Sequence, residues 1–177
     1  SLGADVVRIY LMFLGPWSQG GEWSDNGLNG MSRWINRVWD MAQRNASGLT
    51  AGDPAASQDL VRATHKTIRK VTEDMERFHF NTALASLMEF TNAMSAAWES
   101  ENVDAGTWDR AVDSLLLLLA PAAPHVAEEL WERRSNAYSI HNQPLPSWDP
   151  ILAADDEITL VVQVNGRVRD RITIPAG

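Results

Sequence analysis

Leu115 to Leu119 are five leucines in succession, placed between a helix-starting Thr107 and the helix-breaking Pro121 and Pro124. An α-helix turns 100° per residue, so five consecutive leucines leave it no polar side. A helix that is apolar all round belongs at the centre of a bundle. The rest of the chain therefore has to supply other elements that cover it.

The flanking sequence supplies them. Over Asp5–Phe13, Val6, Val7, Ile9, Tyr10, Met12 and Phe13 are apolar on nearly every side, and Arg8 is the only interior charge. This predicts a short helix buried against a neighbour. Gly15-Pro16 ends it and Gly20-Gly21 marks a loop. A second helix is expected from about Asn26 to Gln43, with Leu28, Met31, Trp34, Ile35, Val38 and Met41 on one face and Trp39 widening it. Asn45 to Ala56 reads as a loop. A third helix follows over Ser57–Phe78, with Leu60, Val61, Thr64, Ile68, Val71, Met75 and Phe78 as its core stripe. Asn81 is expected to cap a fourth, whose apolar positions include Leu84, Leu87, Met88, Ala93 and Ala97. Glu99–Gly106 turns the chain into the leucine helix, capped by Thr107. Pro124 suits the first turn of a sixth helix, with Glu128 and Glu129 near its positive end and Arg133 and Arg134 near its negative end.

Ser135–Asp156 is rich in Pro, Asn and Asp and reads as loop. The period then changes to two: Ile158, Leu160, Val162 and Val164 alternate, Asn165-Gly166 follows, and Val168, Ile172 and Ile174 come after it. Asn-Gly between alternating runs is a strong hairpin signal. The expected fold is mainly α, a helical bundle with a C-terminal β-hairpin.

Catalytic signatures are missing. There is no Gly-x-Ser-x-Gly and no Gly-x-x-x-x-Gly-Lys-Ser/Thr sequence. His65, His79, His125 and His141 are scattered, and without cysteine no metal-ligand spacing emerges. Glu73, Asp74 and Glu76 read as a solvated face of the third helix. We therefore expect no catalytic and no metal-binding residues. The lack of cysteine suits a reducing, cytoplasmic setting. No apolar run is long enough for a membrane span, and no signal peptide opens the chain. Ser1 in place of Met, and a strand-like run up to Gly177, suggest a piece of a longer protein.

Two basic stripes stand out against a net charge of −8, which disfavours nucleic acid unless cations are gathered on one surface. Arg62, Lys66, Arg69 and Lys70 recur at i, i+4, i+7 and i+8, one face of the third helix. The plainer alternative is a solvated face with i,i+4 partners such as Lys70–Asp74 and Glu73–Arg77. On the second strand Arg167, Arg169 and Arg171 alternate with Val168, Asp170 and Ile172 and would share one side. Edge protection is the alternative there, whereas a row of guanidinium groups also suits a phosphate backbone. Trp34, Trp39 and Trp131 sit at core spacing and read as packing. Trp17 and Trp23 lie in the Gly-rich loop, where they could fill a gap or cover a neighbouring domain.

Several stretches together resemble one family. Gly3-Ala4-Asp5-Val6-Val7-Arg8, Met12-Phe13-Leu14-Gly15-Pro16, Glu22-Trp23-Ser24-Asp25 and Arg33-Trp34-Ile35-Asn36-Arg37-Val38-Trp39 resemble the segment after the Lys-Met-Ser-Lys-Ser loop of bacterial leucyl-tRNA synthetases. His65-Lys66-Thr67-Ile68 and Phe80-Asn81-Thr82-Ala83 are similar to core helices of their anticodon-binding bundle. The run Leu119-Ala120-Pro121-Ala122-Ala123-Pro124-His125-Val126-Ala127-Glu128-Glu129-Leu130-Trp131 resembles a motif of the leucyl, valyl and isoleucyl enzymes. Pro124-His125 and Val162-Gln163-Val164-Asn165-Gly166-Arg167-Val168-Arg169 favour leucyl.

The resemblance implies a non-catalytic fragment of a class I enzyme that joins leucine to tRNA(Leu) with ATP. It implies residues 1–24 as the end of the catalytic region and a connecting helix, 25–150 as the anticodon-binding bundle, and 151–177 as the start of a C-terminal tRNA-binding domain. ATP and Mg would belong to the catalytic domain, and no cofactor is expected in this piece. The implied partners are tRNA(Leu) and the other domains of the enzyme, with no membrane. Arg62, Lys66, Arg69, Lys70, Arg167, Arg169 and Arg171 become candidate tRNA contacts, made to phosphates more than to bases. The alternatives are a brace that positions the catalytic domain and touches little RNA, and the equivalent domain of a valyl or isoleucyl enzyme.

Overall fold

A computed structural model describes residues 3–16, 18–46, 49, 53–154, 157–164 and 167–175. Six helices come in chain order: α1 (Ala4–Phe13), α2 (Asp25–Ala42), α3 (Pro54–Glu76), α4 (Phe80–Glu99), α5 (Ala105–Leu119) and α6 (Pro124–Arg133). A 3-10 turn (Ile140–Asn142) and the strands β1 (Glu157–Val164) and β2 (Arg167–Pro175) follow. The Asn165-Gly166 turn of the expected hairpin lies outside the described residues. Among the described residues no helix is long and apolar enough to cross a membrane.

The leucine helix α5 occupies the centre, packed by α3, α4 and α6. Leu115, Leu116, Leu118 and Leu119 are all buried, and Leu117 is half-buried. At about 1.5–3 kcal/mol for each fully buried leucine, the run contributes roughly 6–12 kcal/mol of apolar driving force. Trp108, with no exposed surface, fills the start of the same helix, and its ring centroid lies 4.7 Å from that of Trp98 on α4.

Helix ends differ from expectation where a neighbouring residue takes the cap position instead of the one the sequence pointed to. Helix α3 begins at Pro54, ahead of the expected Ser57, because Asp53 caps it and Pro54 needs no amide partner in the first turn. At its other end Phe78 is not a core residue. It takes the left-handed conformation (φ 59°) and is 68% exposed. The His79 amide then donates to the Asp74 carbonyl at 2.8 Å and the Phe78 amide to Met75, which closes the helix as a glycine would. Helix α4 leaves this reversal at Phe80, so Asn81 lies inside its first turn and His79 stands at the cap position.

Helix α5 likewise begins one turn early. Asp104, not Thr107, is its cap: one carboxylate oxygen accepts from the Thr107 amide at 2.9 Å and the other from the Thr107 hydroxyl at 2.7 Å. The Asp104 amide donates to the Ser57 hydroxyl at 3.1 Å, tying the start of α5 to α3.

Helix α1 is buried on one side only. Val6, Ile9 and Tyr10 enter the core beside α2, α4 and α6, while Leu11 is 51% exposed. Two polar contacts fix it to the start of α6. Buried Asp5 accepts from the Val126 amide at 2.7 Å and meets His125 Nδ1 at 2.8 Å. The Arg8 guanidinium donates to the carbonyls of Ala122 and Pro121. Gly27 on α2 is required by the same joint, since a Cβ there would lie 2.7 Å from a ring carbon of buried Tyr10.

The Asp104 cap makes a pH-dependent prediction. Hydrogen bonds from the Thr107 side chain, then from its backbone, hold the Asp104 carboxyl below the usual aspartate range. A carboxyl lowered on folding contributes stability above its unfolded pKa and loses it as pH falls through the folded value. Asp104→Ala should cost about 1 kcal/mol near neutrality. Thermal melts of the two proteins should converge as the pH is taken down through the aspartate range.

Candidate nucleic-acid interface

Helix α3 turns its buried side, Leu60, Thr64, Thr67, Ile68, Val71 and Asp74, toward α4 and α5. The buried Thr64 and Thr67 hydroxyls donate to the carbonyls one turn back, Leu60 and Ala63, each at 2.8 Å, so neither is left unpaired. On the opposite side the structure brings together Arg62, Lys66 and Arg69, all half-exposed, and exposed Lys70. The eight-residue span from Arg62 to Lys70 covers about 12 Å of helix axis, enough to follow a stretch of nucleic-acid backbone.

Lys70 has a second commitment. Its Nζ lies 2.8 Å from Asp74, whose side chain is 4% exposed. This corrects the expectation that Asp74 shares the solvated face of Glu73 and Glu76. The chain reversal after Glu76 folds His79 back over it, with His79 Nδ1 4.0 Å from the carboxylate. One Asp74 oxygen has no hydrogen-bond partner among the described residues. Lys70 is therefore the close counter-ion of a buried carboxylate.

The strand stripe is different. The side chains of Arg167, Arg169 and Arg171 lie outside the described residues, so the structure adds nothing to their sequence pattern. Trp17 is outside them as well.

The remaining tryptophans separate cleanly. Trp34 and Trp131 are buried, and their indole N–H groups donate to Thr91 Oγ1 and the Ala137 carbonyl. Trp39 is half-buried under the Arg133 guanidinium, 4.9 Å from its ring centroid. Trp23 is 56% exposed, yet it is held by Asp25 and by an edge contact with Tyr10. Sequence reading passed over two features. One is the Trp98–Trp108 pair with Arg44 stacked on Trp98, and the other is the Asp5–His125 joint. The signal for the joint was present: Asp5 and Arg8 are the only charges in an otherwise apolar helix.

A helical bundle alone names no function, and it is comparison with known proteins that supplies the family. The family model described as the anticodon-binding domain of tRNA ligase matches residues 57–177, and the chain belongs to that family. Its similar relatives are leucine–tRNA ligases. That of Dehalococcoides mccartyi is 51% identical over 99% of this chain and 22% of its own length. That of Rubrobacter xylanophilus is 46% identical over 99% of this chain and 21% of its own. A leucyl-tRNA synthetase from Agrobacterium radiobacter, solved as a ternary complex with tRNA and LeuAMS, superposes with a TM-score of 0.75 at 30% identity, covering 98% of this chain and 23% of that one. The chain thus spans about a fifth of the length of the relatives it matches.

The different commitments of two neighbouring lysines can be separated by experiment. Lys70→Ala should lower stability by about 1–3 kcal/mol, because it strips a buried carboxylate of its partner. Lys66→Ala, which leaves the Lys70–Asp74 pair in place, should cost less than Lys70→Ala. Urea unfolding curves of both variants check this; equal midpoints would mean that Asp74 does not need Lys70.

Proposed function

We propose that this chain is a non-catalytic tRNA-binding module of a leucine–tRNA ligase, and that it braces tRNA(Leu) through phosphates instead of reading bases. The observation that carries this reading is the gathering of Arg62, Lys66 and Arg69 on the outer side of α3 in a chain whose net charge is −8. An acidic protein repels RNA at long range, so local clustering of cations is what contact requires. The tRNA complex of the superposable synthetase supports the same partner.

The tail extends the reading. β1 and β2 pair antiparallel, with Ile158 opposite Ile174 and Leu160 opposite Ile172, which supports a β-hairpin at the start of a further tRNA-binding part over 151–177. The register steps by one residue between Val162 and Gln163, so Arg169 has no Cα partner. In the same reading 25–150 is the bracing bundle and 1–24 the connection to the rest of the ligase. Leucine activation, with its ATP and Mg, would reside in the four-fifths of the ligase that this chain does not span, and the setting would be cytoplasmic.

The test is a titration of tRNA(Leu) across salt. Binding should weaken with a linear log–log dependence of roughly 0.7–0.9 per phosphate neutralised. Lys66→Ala and Arg69→Ala should each make the slope shallower by about that amount, and an Arg167→Ala, Arg171→Ala pair reports on the tail in the same way. No binding at low salt, or slopes unmoved by the α3 substitutions, would overturn the assignment.

A further inference from the structure

We propose that neutral His65 is a pH-sensitive latch. It holds the segment from Pro144 to Ala153 on α3 and so keeps the root of the C-terminal tail beside the cationic stripe. Among the described residues no helix or strand intervenes between the 3-10 turn and β1, and the chain crosses α3 and α5 as a strap. Pro146 and Ser147 roof a cavity of about 290 Å³ walled by Thr64 and His65 of α3 and by Arg110 and Asp113 of α5. Beyond it Trp148 packs half-buried against the core, and Ala153 is fully buried. Between these two points the Asp149 amide donates to His65 Nδ1 at 3.0 Å. The Asp149 carbonyl and carboxylate accept from the Ala153 and Ile151 amides and close a turn there. Pro144, Pro146 and Pro150 have no amide to donate, so the strap has few backbone donors with which to hold on.

The contact selects one charge state. A backbone amide can only donate, so Nδ1 must keep its lone pair. Imidazolium carries N–H on both nitrogens and would set donor against donor. Closure is therefore present while the ring is neutral, and it is lost as pH falls through the range of about 5 to 8 in which histidine side chains titrate. His79, His125 and His141 have the opposite arrangement, each beside a carboxylate: Asp74, Asp5 and Glu128. The charged groups around His65 are Arg62, Lys66 and Arg69 on α3, Arg110 and Asp113 across the cavity, and Asp149 on the strap. Asp113 accepts from Arg134 and Asn136, and Asp149 from the Ile151 amide, so both carboxylates are engaged elsewhere. His65 is half-buried and Asp149 exposed, so water can take up the freed amide and opening leaves no buried donor unpaired.

The consequence lies in the length of the tether. His65 is one turn from both Arg62 and Arg69, so the closed strap ends beside the stripe. Glu157, where β1 starts, is eight residues past Asp149. It is seventeen residues past Ile140, the preceding anchor, which is buried and donates to the Glu128 carboxylate. Doubling a flexible tether in this way lowers the effective concentration of its two ends by about threefold. The latch thus sets how closely the tail is kept to α3. That this matters for RNA rests on the phosphate-bracing reading; the latch itself does not.

Amide exchange in the 177-residue chain, followed by NMR and corrected for the intrinsic rate at each pH, tests the latch. The Asp149 amide should be at least about tenfold better protected near pH 8 than near pH 5. His65→Ala should remove that protection at both pH values. His65→Asn, whose Oδ1 stands where Nδ1 does and does not titrate, should keep it at both. The Val112 amide, inside α5, should be equally protected in all three proteins and shows that the bundle stays folded. A nitroxide on Lys66→Cys, in a chain that has no other cysteine, reads the tether. It should broaden the β1 amides near pH 8, and less so near pH 5 or when His65→Ala is added. Asp149 protection that is the same at both pH values, or that survives in His65→Ala, overturns the proposal. So does a His65→Asn variant that still loses protection at low pH, or broadening that ignores His65. Neither measurement includes RNA, so the latch stands or falls separately from phosphate bracing by α3.

Discussion

Burial of the leucine run on α5 is the constraint on which the bundle depends. With Leu115, Leu116, Leu118 and Leu119 all removed from water, α5 keeps only the edge of Gly106, Asp109 and Arg110 open, so α3, α4 and α6 must enclose the rest. That enclosure decides which face of α3 turns inward. With Leu60, Ile68 and Val71 committed to the core, Arg62, Lys66 and Arg69 are displayed on the far side by helical geometry alone. The stripe proposed to meet tRNA is thus a consequence of how the centre is packed.

Polar contacts then set what the apolar ones leave free. Hydrophobic burial is non-directional and would let α1 slide or rotate on the bundle. The Asp5 carboxylate on the Val126 amide and the Arg8 guanidinium on two carbonyls fix one position, and both ends of each contact are paired. The same logic operates at Asp104, where one cap satisfies the start of α5 and joins it to Ser57 of α3. Each joint couples elements far apart in sequence.

Charge is partitioned in a way that net charge conceals. Acidic groups cap helices at Asp53 and Asp104 or pair within the fold at Asp5 and Asp74, where they face amides and cations. Each of these carboxylates is thereby held by a donor or a cation of the fold. Lys70 shows the converse. Its i,i+4 pairing with Asp74 is the alternative the sequence offered, and because Asp74 is buried the loss of Lys70 should register in stability.

The helical content and the core stripes were legible in the sequence because the helical period is set by local geometry, and one apolar face repeats every three or four residues. The one-face spacing of Arg62, Lys66 and Arg69 was legible for the same reason, as were the tryptophans of the core. Helix ends were less so: Asp53, His79 and Asp104 stand at the caps where the sequence pointed to Ser57, Asn81 and Thr107, since a cap depends on the backbone course on either side. Phe78 was misplaced because its left-handed conformation follows from the reversal between α3 and α4, which no periodicity records. Asp74 was misplaced because its burial depends on where that reversal puts His79. The Asp5–His125 joint and the His65–Asp149 contact bring together residues 120 and 84 positions apart. By itself the sequence determined which faces are apolar and which carry charge. Only the tertiary structure decided which of those faces are covered, because burial belongs to pairs of surfaces and a sequence states one surface at a time.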